Sequence, residues 1–177
     1  NNLEIITADM NTFQPDEQFD RVVSIEMFEH MRNYKILLSR IKSWLNPEGK
    51  LFIHIFCHQK YPYFFENEGH HNWMGRYFFT GGVMPSSDLF TYFQNDLSLE
   101  KQWWWDGKHY QKTAEAWLNQ MDHKKDEIYP LLKKVYGNEN ADCWFQRWRI
   151  FFMSCSELFG YKKGNEWGVS HYLFSQK

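Results

Sequence analysis

Hydrophobic positions fall into two rhythms along this chain. Residues 19–25 (FDRVVSI) and 51–57 (LFIHIFC) are short, nearly unbroken apolar runs of strand length. Between them Met27, Met31, Tyr34, Leu38, Ile41 and Leu45 recur at spacings of three and four, which predicts an amphipathic helix starting directly after the first run. Asn46-Pro47-Glu48-Gly49-Lys50 is a strong stop. Continuous rather than alternating hydrophobicity marks strands buried on both faces, so the order strand, helix, strand predicts a parallel sheet with helical crossovers. Residues 3–8 (LEIITA) predict a further short strand ending at Asp9-Met10, and a turn-rich stretch, 11–18, leads into the next.

From Gln59 the rhythm changes. Residues 61–96 are aromatic, glycine-bearing and irregular, the character of a lid, with a turn at 80–86 that can open a helix at Ser86 or Ser87. Residues 97–105 predict a strand, 113–121 and 125–136 helices, 141–159 a longer helix closed by Gly160, and 167–175 a final strand. The expected fold class is α/β in a single domain over 1–177: core strands and helix in 1–58, lid in 59–96, remaining strands and helices in 97–177.

Candidate chemistry sits at one junction. Glu26, Glu29 and His30 stand where the strand at 19–25 gives way to the predicted helix, on one face of its first turn. In open α/β sheets ligands bind beyond the carboxyl ends of strands, which is where such a junction lies. Acidic residues in a first turn also serve simply to complement the helix dipole, and spacing alone leaves both readings open.

Composition narrows the field. Formal net charge is −2, with the basic residues scattered as short pairs, so there is no electrostatic footprint for a nucleic-acid backbone. Apolar runs are too short for a bilayer, and no secretory or transit segment is recognisable, so a cytoplasmic protein without an integral membrane segment is expected. Cys57, Cys143 and Cys155 are too far apart for a disulfide framework or a zinc ribbon. Cys57-His58 with His70-His71 fits no tight zinc pattern, and no metal site is expected. Aromatic residues make up 20% of the chain. Most must be core, but ring faces also bind cations, so an excess around an acidic rim suits a substrate that is, or becomes, positively charged.

Ala8-Asp9-Met10, FDRVVSIEMFEHM, RYFFTGGVMPSSDL, DGKHYQKTAEAWL and WRIFF with ELFGYKKGNEW follow one another in an order that resembles the coclaurine N-methyltransferase branch of the S-adenosylmethionine-dependent methyltransferases, within the cyclopropane fatty acyl phospholipid synthase superfamily. The resemblance implies a class I methyltransferase, Rossmann-like sheet with a helical, aromatic-rich substrate lid. It implies S-adenosylmethionine as cofactor, with Asp9 and Met10 at the adenine and Ser24 and Ile25 at the methionine part. Glu26, Glu29 and His30 match the acidic and histidine cluster beside the reacting nitrogen of a small, possibly alkaloid-like amine, with Phe79, Tyr110, Trp148, Phe151 and His54 as substrate-binding positions. In that chemistry His30 is the natural base, because imidazoles titrate near neutrality, and Glu29 and Glu26 attract the cation.

The sister synthases transfer a methylene to an unsaturated lipid with the help of bicarbonate, and Glu29, His54 and Tyr110 match their bicarbonate-holding positions. Glu26 departs from them, because synthases usually carry glycine there. A third expectation, of another class, is an inactive binding or partner subunit. The family's glycine-rich loop, ribose-binding acid and first two strands find no match in these residues, so the resemblance covers the C-terminal part of the domain only. Two absent strands at about 4.8 Å each leave a gap of roughly 14 Å between residues 3–8 and the strand at 19–25. Residues 3–8 are therefore expected to be poorly paired or to re-pair against 22–25, and these 177 residues alone to bind cofactor weakly and to be inactive.

Overall fold

A computed structural model of the chain describes residues 2–69 and 71–177. Among them, four strands form one sheet in the order β1-β2-β6-β5, where β1 is Phe19–Ile25, β2 Leu45–His58, β5 Leu97–Asp106 and β6 Trp167–Gln176. β1 and β2 are parallel, joined through α1 (Tyr34–Trp44), whereas β6 runs antiparallel to both β2 and β5. The expected parallel pairing through a helical crossover holds for β1 and β2, whereas both pairings of β6 are antiparallel. Apolar runs mark burial but carry no information on direction, and the return of β6 between β2 and β5 is invisible to periodicity.

Period-two alternation divides the sheet into two faces. Leu51, Ile53 and Ile55 of β2 and Tyr172 and Phe174 of β6 pack with Leu37, Leu38 and Ile41 of α1 and with Phe28, Tyr34 and Phe90 in one buried core. Phe90 is its hub, edge-on to Phe28, Tyr34 and Tyr172 at 5.0–5.5 Å between centroids. Phe52, His54 and Phe56 point to the other face. There α3 (Lys108–His123) packs along α5 (Ala141–Gly160), with α4 (Lys125–Tyr136) beside them.

Between β2 and β5 lies the lid, built from β3 (Tyr63–Phe64) paired with β4 (Val83–Met84) and from the short α2 (Trp73–Tyr77). Ser86 forms a bridge with His58 rather than opening a helix, and the turn of 3-10 helix falls at Leu89–Tyr92. A Cβ at Gly75 would collide with the Glu66 carbonyl, so only glycine lets α2 lie against the segment that follows β3.

Residues 3–8 form no strand and do not re-pair against 22–25, which is the poorly paired outcome of the two expected for them. Leu3, Ile5 and Ile6 are exposed, and among the described residues β1 pairs with β2 alone. Residues 9–18 are nevertheless docked. Arg40 of α1 donates to the carbonyls of Asn11 and Phe13, and the Phe13 ring meets Trp44 edge-on at 5.7 Å. β2 also starts earlier than the stop signal suggests, at Leu45, with its register to β1 shifting across the proline-glycine segment.

Candidate active site

At the carboxyl end of β1 the chain turns a corner on Glu26. Its N–H still donates to the His54 carbonyl at 3.1 Å, extending the ladder by one residue, and its φ of 50° then redirects the backbone. That left-handed conformation costs a residue with a side chain about 1–2 kcal/mol. A 3-10 turn, Phe28–His30, follows, Met31 returns to extended backbone, and α1 starts only at Tyr34, capped by the Asn33 side chain on the Ile36 N–H. The helix expected to begin at Met27 is therefore delayed. Glu26, Glu29 and His30 reach one cavity from a corner and a tight turn, not from the face of a helix.

The cavity measures about 790 Å³, in the range of small-molecule sites. Its walls are aromatic: Phe56, Phe65, Phe79, Phe151 and Phe159, with Tyr63 and Phe64 from the lid. Phe79 stacks on Phe65 at 4.8 Å, and Tyr110 stacks on Phe159 at 4.9 Å. Against this apolar lining the carboxylates are the exception, and their surroundings differ.

Glu29 is 2% exposed, and its Oε2 has no hydrogen-bond partner. Burial, and next the charge of Glu26, push its carboxyl up to about 8. Glu26 is better served. Its Oε1 accepts the Tyr110 hydroxyl at 2.8 Å and lies 3.1 Å from His54 Nε2. Burial, followed by the Glu26 charge, raises the Tyr110 phenol far above its ordinary value, so it is a donor at any physiological pH. His30 is 52% exposed at the rim, with Nε2 3.8 Å from Glu29 Oε1.

The other expected positions fall as follows. Phe79, Tyr110 and Phe151 line the cavity. His54 stands behind it, reaching it through Glu26. Trp148 is displaced from its expected place: it packs edge-on to Phe78 and Phe151 and faces an adjoining apolar groove among α3, α4 and α5. Ser24 is buried with its Oγ unpartnered, Ile25 is exposed, and Met10 packs against the core. Asp9 organises its own turn, its Oδ1 accepting from the Asn11 N–H and side-chain amide. His70 lies outside the described residues.

Two residues that sequence reasoning passed over join the site from behind. His171 Nε2 is 2.8 Å from His54 Nδ1, and the Trp105 indole N–H donates to His171 Nδ1 at 3.0 Å. A signal existed: His54 and His171 each interrupt an apolar strand, and a histidine in such a setting must find a partner.

Residues 1–167 match the family described as mycolic acid cyclopropane synthetase. The chain belongs to that family. Within it, the chain is 38% identical over 180 residues to the (S)-coclaurine N-methyltransferase of Thalictrum flavum subsp. glaucum, covering 99% of this chain and 50% of that protein. A crystal structure of coclaurine N-methyltransferase bound to N-methylheliamine and SAH has a TM-score of 0.91 at 38% identity, covering 99% of this chain and 53% of that one. The cyclopropane synthase MmaA2 from Mycobacterium tuberculosis, at 18% identity and a TM-score of 0.72 over 96% of this chain and 59% of that one, shares the fold. The chain spans about half the length of the curated relatives it matches.

The donor that this family implies, S-adenosylmethionine, can be tested against the residues present. At the end of β1, Ile25 leaves apolar surface free beside Glu26, and Asp9 keeps its carboxylate at the surface, whereas the Ser24 Oγ is buried without a partner on the opposite face of the strand. Ile25 and Asp9 fit parts of a polar, nucleoside-bearing ligand.

Proposed function

We propose that this protein methylates a small amine, using S-adenosylmethionine held in part by Asp9, Met10, Ser24 and Ile25. One observation carries this reading: the Glu26 carboxylate is seated between Tyr110 and His54 at an aromatic cavity, a fixed anion among ring faces. Both recognise a cation that forms as nitrogen is alkylated. The relatives named for alkaloid N-methylation support an aromatic or alkaloid-like amine.

When bound, the donor supplies an electrophilic methyl group. The chain's own residues do the rest. Phe79 and Phe151 hold the amine's hydrocarbon body, and alignment within about 3 Å of the methyl carbon supplies much of the rate. With the donor bound, the amine lone pair would take the methyl group while the donor's sulfur would keep the electrons of the broken bond, and Phe79, Phe151 and Glu26 would hold the nitrogen in line for it. The amine proton passes to the Glu29–His30 pair at the rim, where a carboxyl raised to about 8 is matched to the working pH. Glu26 meanwhile faces the positive charge on nitrogen.

The synthase reading also has an observation in its favour, since His54 and Tyr110 stand together beside one anion. That anion is Glu26's own carboxylate. With Oε1 accepting from Tyr110 and 3.1 Å from His54 Nε2, the place that the resemblance assigns to bicarbonate is filled from within, which favours the amine. A cytoplasmic setting belongs to the same proposal, supported by the free thiols of Cys57, Cys143 and Cys155.

The deciding assay supplies labelled donor with tetrahydroisoquinoline-type amines and with unsaturated phospholipid vesicles, using the protein with any sequence that precedes residue 1. Label in amine alone is the expected result. Label in lipid would establish the synthase reading, and binding without transfer a non-catalytic role.

A further inference from the structure

Behind the cavity, five side chains from three strands, α3 and a corner (Trp105, His171, His54, Tyr110 and Glu26) are joined in a single file of hydrogen bonds. His54 and His171 are directly opposed in the β2–β6 register, so they share a face. Trp105 is opposite Val169, two residues along β6, and an indole spans that diagonal. The contacts run Trp105 Nε1 to His171 Nδ1 at 3.0 Å, His171 Nε2 to His54 Nδ1 at 2.8 Å, His54 Nε2 to the Tyr110 hydroxyl at 3.2 Å, and that hydroxyl to Glu26 Oε1 at 2.8 Å.

The file has a direction, and its outer end sets it. An indole N–H can only donate, so His171 Nδ1 must be a bare acceptor and its hydrogen must sit on Nε2. That hydrogen points at His54 Nδ1, which must in turn be bare, leaving the His54 hydrogen on Nε2. We propose that Trp105 and His171 are positioning residues that fix the tautomer of His54, so that its N–H is always aimed at the Tyr110 oxygen, the Tyr110 hydrogen is thereby turned to Glu26, and the carboxylate is held facing the substrate nitrogen. Burial, and then the neighbouring His54, lower the proton affinity of the His171 ring, in keeping with a neutral acceptor.

The inference deepens the amine reading and rests on it for the role of Glu26. It also closes one route: a proton leaving outward through His54 would need the hydrogen on His171 Nδ1, which the Trp105 N–H already occupies. The amine's proton is thereby confined to the Glu29–His30 side. Other groups facing the file are the Glu26 carboxylate, whose Oε1 is also 3.1 Å from His54 Nε2, and His109 and Thr113, which border the same shallow surface groove.

Ring-nitrogen NMR of the full chain labelled with 15N-histidine tests this without any turnover. Expected are Nε2–H tautomers for both His54 and His171. In Trp105→Phe, which keeps an aromatic ring at a half-exposed site, His171 should become a mixture of tautomers; His171→Gln, which can still donate to His54, should keep His54 as Nε2–H, and His171→Phe should not. An Nδ1–H form of either ring in the unaltered protein, or an unchanged His171 population in Trp105→Phe, would overturn the proposal. Once an amine substrate is identified, Trp105→Phe should lower kcat roughly tenfold with KM little changed, by analogy with residues that orient a histidine elsewhere. Absence of methyl transfer altogether would remove the amine reading and leave the tautomer result standing.

Discussion

The face of the sheet that carries His54 has two ends, and they are finished to different degrees. Toward β5, His54, His171 and Trp105 are hydrogen-bonded, with Tyr110 of α3 closing over them. Toward β1, Val23 and Ile25 lie on the same face, opposite Phe52 and His54 in register, and are 59% and 63% exposed. Composition does not separate the two ends, since valine and isoleucine belong in a buried strand. What differs is whether this chain supplies something to cover them. The aromatic, carboxylate-bearing end is therefore built almost wholly by these residues, and the β1 end is an open edge, the one that the proposed function gives to the donor.

Stability should feel the two ends unequally, and this is the largest effect expected. Phe174→Ala removes a fully buried ring from the α1 side of the sheet and should cost roughly 3–5 kcal/mol, while Val23→Ser on the open edge should stay within about 0.5 kcal/mol. Urea denaturation of both decides it, and equal losses would mean that the edge is covered in solution.

Next comes Glu29. Its folded carboxyl is held at about 8 against an ordinary 4.5, so the native state binds an extra proton between those values and loses stability as pH rises through that window. Glu29→Gln removes the titration. Its melting temperature should differ little from that of the unaltered protein at about pH 5, with an advantage on the order of 3 kcal/mol by about pH 9. A flat difference across that range would show that Glu29 is not buried as described.

For turnover, Glu26→Gln keeps the shape of the corner but removes the anion, and kcat/KM for an amine should fall about 100-fold. Activity within a factor of a few of the original would take Glu26 out of the site. The smallest effect belongs to the open end: Ser24→Ala discards a buried hydroxyl without a partner and should stabilise the donor-free protein by about 1 kcal/mol. Calorimetry should find its donor affinity reduced, and unchanged affinity would show that Ser24 Oγ does not meet the donor.

How much of this was legible in the sequence differs between the same two ends. The runs at 19–25, 51–57, 97–105 and 167–175 became β1, β2, β5 and β6, because each has neighbours within the chain to reward an extended conformation. Residues 3–8 have the same apolar character and form no strand, since a strand is a relation and the partner is absent among the described residues. Glu26, Glu29 and His30 were recognisable as a group. Their route to one cavity was not, because the periodicity that suggested a helix from Met27 cannot register a left-handed corner at Glu26. Trp105 and His171 escaped for a similar reason: their link to His54 depends on strand register, which a linear pattern does not encode.

The corner at Glu26 has an evolutionary corollary. Glycine tolerates that backbone angle freely. Glutamate and glycine codons differ by one base, so one mutational step would relax the strained angle and discard the anion together. Backbone comfort and charge at this position are inherited as a single choice.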